Sequence, residues 1–224
     1  MNAAGLDVSL IRTLSLTLVL TTLLAAESRQ LRVAAAAYGV QALLIVGLLL
    51  SFAAINPALY WWAGTAFLTK AVLTPLFLFW YIRKTRDVEL PPLIGFAPSV
   101  LIAAVLMVAS FALMHHQAAL LAPPALAGED VFRTNLAVAA TVFAMGLYAI
   151  LTRRDAVKTV IGLCLLENGV HLSLVSLVPG LPETALFGVA TEVVISVFLL
   201  LYVIAGVFRQ FGTTDTLALR ELRG

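Results

Sequence analysis

Three ionisable side chains, Lys70, Glu167 and Glu192, lie inside long apolar stretches of the sequence. A charged group at the centre of a bilayer costs about 2.5 kcal/mol or more even on the most lenient insertion scale, so such residues normally face a bundle interior or a wet cavity. Burial and neighbouring charges shift the pKa values of carboxyl groups, which allows them to load and release protons near neutral pH. These residue types at these positions predict a proton relay.

Each of these residues also has a structural interpretation. A buried glutamate can hydrogen-bond to a neighbouring helix and fix its packing. The lysine can compensate the charge of a glutamate, either in this chain or in a neighbouring one. Because Glu167 and Glu192 lie on consecutive apolar stretches, the pair favours the relay, but the sequence leaves both interpretations open.

Glu167 shares one predicted helix face with Cys164 and His171, which lie three residues before it and four residues after it. His171 could extend a proton path along this face, because the pKa of an unperturbed imidazole is about 6.5. The alternative is a neutral histidine that donates one hydrogen bond within the bundle. The neighbours Asn168 and Gly169 are interpreted as packing residues that allow another helix to approach closely.

Lys70 lies near the middle of its apolar stretch, bracketed by aromatic residues of the kind that anchor helices at both membrane interfaces. The aromatic residues are Trp61, Trp62, Trp80 and Tyr81. Pro75 follows five residues after Lys70, where it removes one backbone donor and frees the carbonyl group near position 71. We therefore expect a kinked helix with a central lysine.

The elements that position these residues are predicted from length and apolar composition. A helix needs about 20 apolar residues to cross a hydrocarbon core of about 30 Å. Seven stretches qualify, and alternating strands of a membrane barrel are absent. They are approximately Leu6–Ala26, Leu31–Ala54, Leu59–Ile82, Leu93–Met114, Val131–Leu151, Ala156–Val178 and Thr184–Phe208. The sequence predicts an all-α, polytopic membrane protein with seven transmembrane helices.

The composition agrees with membrane residence and excludes several kinds of site. Hydrophobic residues make up 62% of the chain and charged residues 12%, whereas soluble domains carry about a quarter charged residues. The single cysteine, Cys164, excludes an internal disulfide and a cysteine-bound cluster, and no phosphate loop, GxSxG or HExxH motif is present. No metal site or cofactor site is predicted, so redox chemistry must lie on a partner. The net charge of +2 gives no reason to expect nucleic acid.

The chain divides at its longest connection. Residues 1–114 form a predicted four-helix N-terminal region, and 115–130 form a loop on the outer side that contains Pro123, Pro124 and Gly128. Residues 131–208 hold the last three helices, and 209–224 form a cytoplasmic tail.

The basic residues predict the orientation, because cytoplasmic loops retain Lys and Arg. Eleven of the fourteen basic residues fall on one side of the seven spans. They are Arg29, Arg32, Arg83, Lys84, Arg86, Arg153, Arg154, Lys158, Arg209, Arg220 and Arg223. We therefore expect the N-terminus outside the cell and the C-terminus in the cytoplasm, with Lys158 at the cytoplasmic interface.

The last three spans resemble a known family. The run RRDAVKTVIGL at 153–163 is similar to the loop and the start of the second helix in the K subunit of respiratory complex I. The resemblance continues through ATEVVIS at 190–196 and the tail from Asp215, so it covers about Val131–Gly224. In that family two intramembrane glutamates on the second and third helices are implied in proton transfer between antiporter-like subunits, which implies this role for Glu167 and Glu192.

One position departs from the pattern of the K subunit. Where the family usually has Gly-Leu-Glu, this chain has Gly162-Leu163-Cys164, and the carboxyl group follows one turn later at Glu167. The helix face is kept, but the depth shifts by about 4.5 Å. The four preceding helices and the run LLENG at 165–169 resemble hydrogenase-4 component E of formate hydrogenlyase-type complexes. We prefer this family because the complex I subunit is far shorter.

The resemblance implies a non-catalytic membrane subunit of a hydrogenase or complex I-like respiratory complex in the bacterial inner membrane. The implied partners are large antiporter-like membrane subunits and hydrogenase or complex I-type subunits. Within the complex, Glu167, Glu192, Lys70 and His171 would contribute to proton translocation. Three alternatives remain open: a subunit of a multisubunit cation/proton antiporter, a free-standing secondary transporter, and a structural scaffold. The coupling ion, proton or sodium, is also open.

Overall fold

The computed structural model describes residues 7–54, 56–85, 92–121, 130–177 and 183–216. Their helices confirm the predicted all-α fold, and seven of the helices are long and apolar enough to cross a membrane. The elements are α1 (Val8–Glu27), α2 (Leu31–Phe52), α3 (Ala58–Ala66), a π-helical segment (Phe67–Leu73), α4 (Thr74–Lys84), α5 (Phe96–Leu121), α6 (Asp130–Thr152), α7 (Ala156–Leu177) and α8 (Glu183–Phe211). The third crossing combines α3, the π-helical segment and α4.

The fourth crossing is shifted relative to the sequence prediction. Helix α5 begins three residues later than expected and continues to Leu121, so the start of the predicted outer loop is helical. Gly95 adopts φ 82°, a left-handed conformation that closes the turn before α5. At the far end, Arg133 donates a hydrogen bond of 3.1 Å to the carbonyl oxygen of His115, which holds α5 against α6. Residues 122–129 of the predicted loop lie outside the described residues.

Helices α6 and α7 pack closely because glycines remove the side chains between them. A Cβ on Gly169 would lie 2.5 Å from the backbone nitrogen of Phe143, and one on Gly146 would collide with the backbone of Leu166. Distances this short leave no room for any side chain. The predicted packing role of Gly169 is therefore confirmed.

The proline after Lys70 is accommodated by a π-helical segment. The backbone N–H and the hydroxyl group of Thr74 both donate to the carbonyl oxygen of Thr69, five residues earlier. This widened turn accommodates Pro75, which has no backbone N–H to donate and lies in the first turn of α4. A Cβ on Gly39 of α2 would lie 3.5 Å from the ring of Pro75, so the glycine lets the two helices approach. Lys70 lies at the centre of this segment, and π-helical turns inside helices are often associated with functional sites.

The two aromatic pairs that bracket Lys70 divide by exposure. Trp61 and Trp80 are largely exposed on the outside of the bundle, as interface anchors should be. Trp62 and Tyr81 are buried in the core. Only one member of each pair therefore faces the surroundings of the bundle.

A buried ion pair joins helices at the end of the bundle where most basic residues lie. Glu27, the last residue of α1, pairs with Arg153 just after α6. Ser99 of α5 donates to Glu27, and Arg153 donates to the hydroxyl oxygen of Ser99. The contact therefore ties three helices together at one end.

Lys158 departs from its predicted position at the membrane interface, because it is buried at this same end. Its ammonium group donates to the carbonyl oxygens of Ala25 and Ala26 at 3.0 and 3.3 Å. These carbonyls belong to the last turn of α1, where a helix favours a positive charge. The lysine therefore caps a neighbouring helix.

The residues after α8 dock onto the connection between α6 and α7. Arg154 pairs with Asp215 at 2.7 Å, and the hydroxyl group of Thr214 donates to Asp155 at 2.7 Å. Asp155 also accepts from the backbone of Val157 and so caps α7. Burial raises the pKa of Asp155, against the opposite effect of these hydrogen bonds.

Candidate proton-transfer site

Three of the four predicted site residues meet in the middle of the bundle. Lys70 is 2% exposed, and its Nζ lies 3.6 Å from Oε1 of Glu167. The same Nζ donates a hydrogen bond of 2.8 Å to Oδ1 of Asn168 and contacts Nδ1 of His171. Lys70 therefore pairs within this chain, with Glu167 as its ionic partner.

The site forms where one face of α7 lies opposite the π-helical segment that carries Lys70. Glu167 and His171 are one turn apart on α7, and Nε2 of His171 lies 3.4 Å from Oε1 of Glu167. The ammonium group of Lys70 can only donate, so Nδ1 of a neutral His171 accepts from it and Nε2 carries the ring proton toward Glu167. Trp62 packs edge-on against this imidazole, with ring centroids 5.8 Å apart.

A hydrogen-bonded network of buried polar side chains connects Lys70 through α7 and α2 to α1. Nδ2 of Asn168 donates to Oε1 of Gln41 at 3.3 Å, and Nε2 of Gln41 donates to the hydroxyl oxygen of Thr22 at 2.7 Å. Thr22 in turn donates to the carbonyl oxygen of Leu18. Asn and Gln side chains are amides without an ionisable proton, and this network holds the ammonium group of Lys70 through Asn168.

The sequence alone did not predict all members of this hydrogen-bonded network. Asn168 was interpreted as a packing residue, but it is fully buried and binds the lysine. Gln41 and Thr22 were not predicted as site residues at all. A signal was available for Gln41, since an uncharged polar side chain with four hydrogen-bonding sites in the middle of an apolar helix needs a partner.

Glu192 occupies a different position from the other three residues. It lies on α8 with its side chain exposed on the outside of the bundle. It is close enough to Glu167 for the two carboxylates to interact electrostatically. No hydrogen bond or ion pair joins Glu192 to another residue in the described part of the chain.

The site also borders a small apolar cavity. Lys70 and His171 form its polar wall. The remaining lining residues are Ile45, Leu49, Trp62, Ala66 and Leu172. The buried ammonium group of Lys70 therefore lies between polar partners, Glu167, Asn168 and His171, and the apolar residues of this cavity.

The comparisons with known proteins agree with this architecture. The profile of the NADH-ubiquinone/plastoquinone oxidoreductase chain 4L family matches residues 134–224. Hydrogenase-4 component E of Escherichia coli strain K12 is 29% identical over 210 residues, which cover 92% of this chain and 94% of that protein. The same protein of Shigella flexneri gives the same values. No solved structure matches the chain.

A shorter relative matches the C-terminal part alone. NADH-quinone oxidoreductase subunit K of Deinococcus radiodurans is 32% identical over 93 residues, which cover 40% of this chain and 90% of that subunit. The residues matched by the chain 4L profile include Glu167, His171 and Glu192. Lys70 and Gln41 lie outside that region, so these two residues of the site belong to the four membrane crossings that precede it.

Proposed function

Because this chain belongs to the NADH-quinone oxidoreductase subunit K (chain 4L) family through its last three membrane helices, we propose that it passes protons between neighbouring subunits of a complex I-like membrane assembly. Lys70, Glu167 and Glu192 would carry the protons, with His171 as an accessory. Redox chemistry takes place on partner subunits in this proposal, and the chain itself converts no substrate. The similarity to hydrogenase-4 component E over 92% of the chain supports an assembly of the hydrogenase type.

The contact between Lys70 and Glu167 carries the proposal. An ammonium group and a carboxylate 3.6 Å apart at mid-membrane form an ion pair that one proton transfer converts into two neutral groups. Because burying charged groups costs more free energy than burying neutral polar groups, the two proton arrangements are closer in free energy here than in water. The amide of Asn168 holds the ammonium group in place for the transfer.

Glu192 provides the exchange step toward a neighbouring subunit. Repulsion between the carboxylates of Glu192 and Glu167 couples their proton occupancies, since a proton on one favours a negative charge on the other. Its exposed position on α8 allows a partner to reach it directly. We propose large antiporter-like membrane subunits as these partners.

The proposed orientation follows from the positive charges. The helix end that gathers Glu27, Arg153 and Lys158 also holds most of the other basic residues, and cytoplasmic ends are enriched in such residues. We propose that this end faces the cytoplasm in a bacterial inner membrane. The N-terminus would then lie outside and the tail that docks on Asp155 inside.

The proposal is tested in inside-out membrane vesicles that contain the assembled complex. Glu167→Gln and Glu192→Gln should each lower redox-driven proton uptake about tenfold or more, because general acid–base groups contribute on this scale. Asp130→Asn is the matched control, since it makes the same change in an exposed carboxyl group at the membrane edge. Normal proton uptake by an assembled Glu167→Gln complex would contradict the proposal and favour the scaffold.

A second experiment, on the isolated chain, tests the transporter alternative. The chain purified alone and reconstituted in liposomes should give no proton or sodium exchange, because the path through Glu192 ends at a partner. Ion exchange by the isolated chain that disappears in Glu167→Gln would support a free-standing transporter instead.

A further inference from the structure

An apolar groove runs along the surface between α4 and α8. Helix α4 contributes Phe77 and Trp80, and the rings of Phe77 and Phe198 lie 5.7 Å apart. Helix α8 supplies the remaining lining residues. They are Phe198, Leu201, Tyr202, Val203, Ala205, Gly206 and Arg209. The groove is thus apolar along its length, with a guanidinium group at one end.

The length of the groove matches one leaflet of a bilayer. Phe198 and Arg209 are eleven residues apart on one helix, a rise of about 16 Å. Half of a hydrocarbon core is about 15 Å thick. Gly206 deepens the groove near its charged end, because nothing lies within 4 Å of the place where its Cβ would be. A single extended acyl chain fits these dimensions.

The charged end of the groove carries two cations. Both α4 and α8 end on the same side of the bundle, so the last residue of α4, Lys84, lies at the same end as Arg209. The ammonium group of Lys84 stacks on the ring of Trp80, 3.8 Å from its centroid, and Trp80 lines the groove. Arg209 makes no ion pair with any residue in the described ranges. Basic pockets between membrane helices on one side of the bilayer favour anionic lipid head groups.

We propose that this groove binds an anionic phospholipid, with one acyl chain between α4 and α8 and its phosphate at Arg209 and Lys84. The guanidinium group presents a planar pair of donors that matches two phosphate oxygens, and Lys84 adds a second charge. The lipid would fill the space between the two helices beside the contact of Phe77 with Phe198.

The test measures lipids that co-purify with the full-length chain in a mild detergent. Mass spectrometry should detect bound phosphatidylglycerol or cardiolipin in excess of phosphatidylethanolamine. Arg209→Gln and Lys84→Gln should each lower the retained anionic lipid about fivefold. Gly206→Leu should lower it as strongly, because its side chain fills the groove while both charges remain. Arg83→Gln removes a neighbouring charge that, unlike Lys84, does not stack on a residue of the groove, and it should leave retention unchanged.

A photo-cross-linker at Tyr202 identifies the occupant within the assembled complex. This side chain lines the groove and is 70% exposed. A cross-link to phospholipid supports the proposal, whereas a cross-link to a partner polypeptide overturns it. Equal retention of phosphatidylethanolamine, or retention that Gly206→Leu leaves unchanged, also overturns it.

Discussion

At the scale of single residues, the centre of this protein is a lysine held by one carboxylate, one imidazole and one amide. The two charges of Lys70 and Glu167 lie at mid-membrane, where each requires the other. Their ion pair is compatible with a structural role as well as a proton-transfer role, and the two differ in what happens when both charges are removed together.

Lys70→Met should destabilise the assembled protein by about 3 kcal/mol, because it leaves Glu167 without its cation in a low-dielectric site. The double variant Lys70→Met/Glu167→Gln should recover most of this loss, since no uncompensated charge remains. Thermal unfolding in detergent measures both effects. If the double variant regains stability but not proton translocation, the pair conducts protons; if it regains both, the pair is structural.

Asn168→Ala removes the acceptor that positions Lys70, and we expect a loss of about 1.5 kcal/mol or more because the lost hydrogen bond involves a charged group. It should also shift the pH dependence of proton translocation. Asn135→Ala is the matched control, because Asn135 is equally buried but binds Leu172 and Ser176. Both variants should lose stability, and a shift in the pH profile with Asn135→Ala as well would contradict the positioning role.

At the scale of elements, two local devices place these residues. The π-helical segment at Phe67–Leu73 presents Lys70 toward the polar face of α7, and the glycines of α6 and α7 let α7 pack closely against α6 on another of its faces. Small residues serve this purpose in membrane helices because apolar side chains gain no hydrophobic free energy by leaving lipid.

Gly169→Ala should destabilise the protein by about 2 kcal/mol, because its Cβ would approach the backbone of Phe143 at 2.5 Å and backbone yields less easily than a side chain. Gly64→Ala provides the control, since it makes the same change in a helix where nothing lies within 4 Å of the new Cβ. Thermal unfolding of the two purified variants measures this difference in stability. Equal melting temperatures would show that α6 and α7 separate without cost.

At the scale of the whole molecule, the bundle has two chemically different ends. One end carries the buried pair of Glu27 with Arg153, the partly buried pair of Arg154 with Asp215 and a docked tail, and the other carries the exposed His116 at the extended end of α5. The polar chain from Thr22 to Glu167 lies between the two ends and crosses the interior from α1 to α7.

The proposed orientation predicts the labelling of engineered cysteines by a membrane-impermeant maleimide. His116→Cys should react in intact cells, whereas Gln210→Cys should react only after the membrane is opened. Background labelling is low, because the single native cysteine, Cys164, is buried. The reverse pattern would show that the basic end faces outward.

The sequence by itself determined the fold class, the seven crossings, the family and three of the central residues. These features can be predicted from the sequence because the hydrocarbon core of a membrane requires every crossing to be a long apolar helix. A charged residue within such a helix is rare and therefore easy to identify. The match to residues 134–224 and to hydrogenase-4 component E confirmed the resemblance carried by Arg153–Leu163 and Glu192.

Only the tertiary structure decided which groups meet. Lys70 and Asn168 are 98 residues apart in the chain, and no spacing rule relates residues on different helices. For the same reason the roles of Gln41, Thr22 and Lys158 were missed or misplaced: each binds a group on another helix. Helix periodicity indicates which face of a helix a residue occupies. The partner opposite that face depends on how the helices pack against one another, and only the tertiary structure shows this packing.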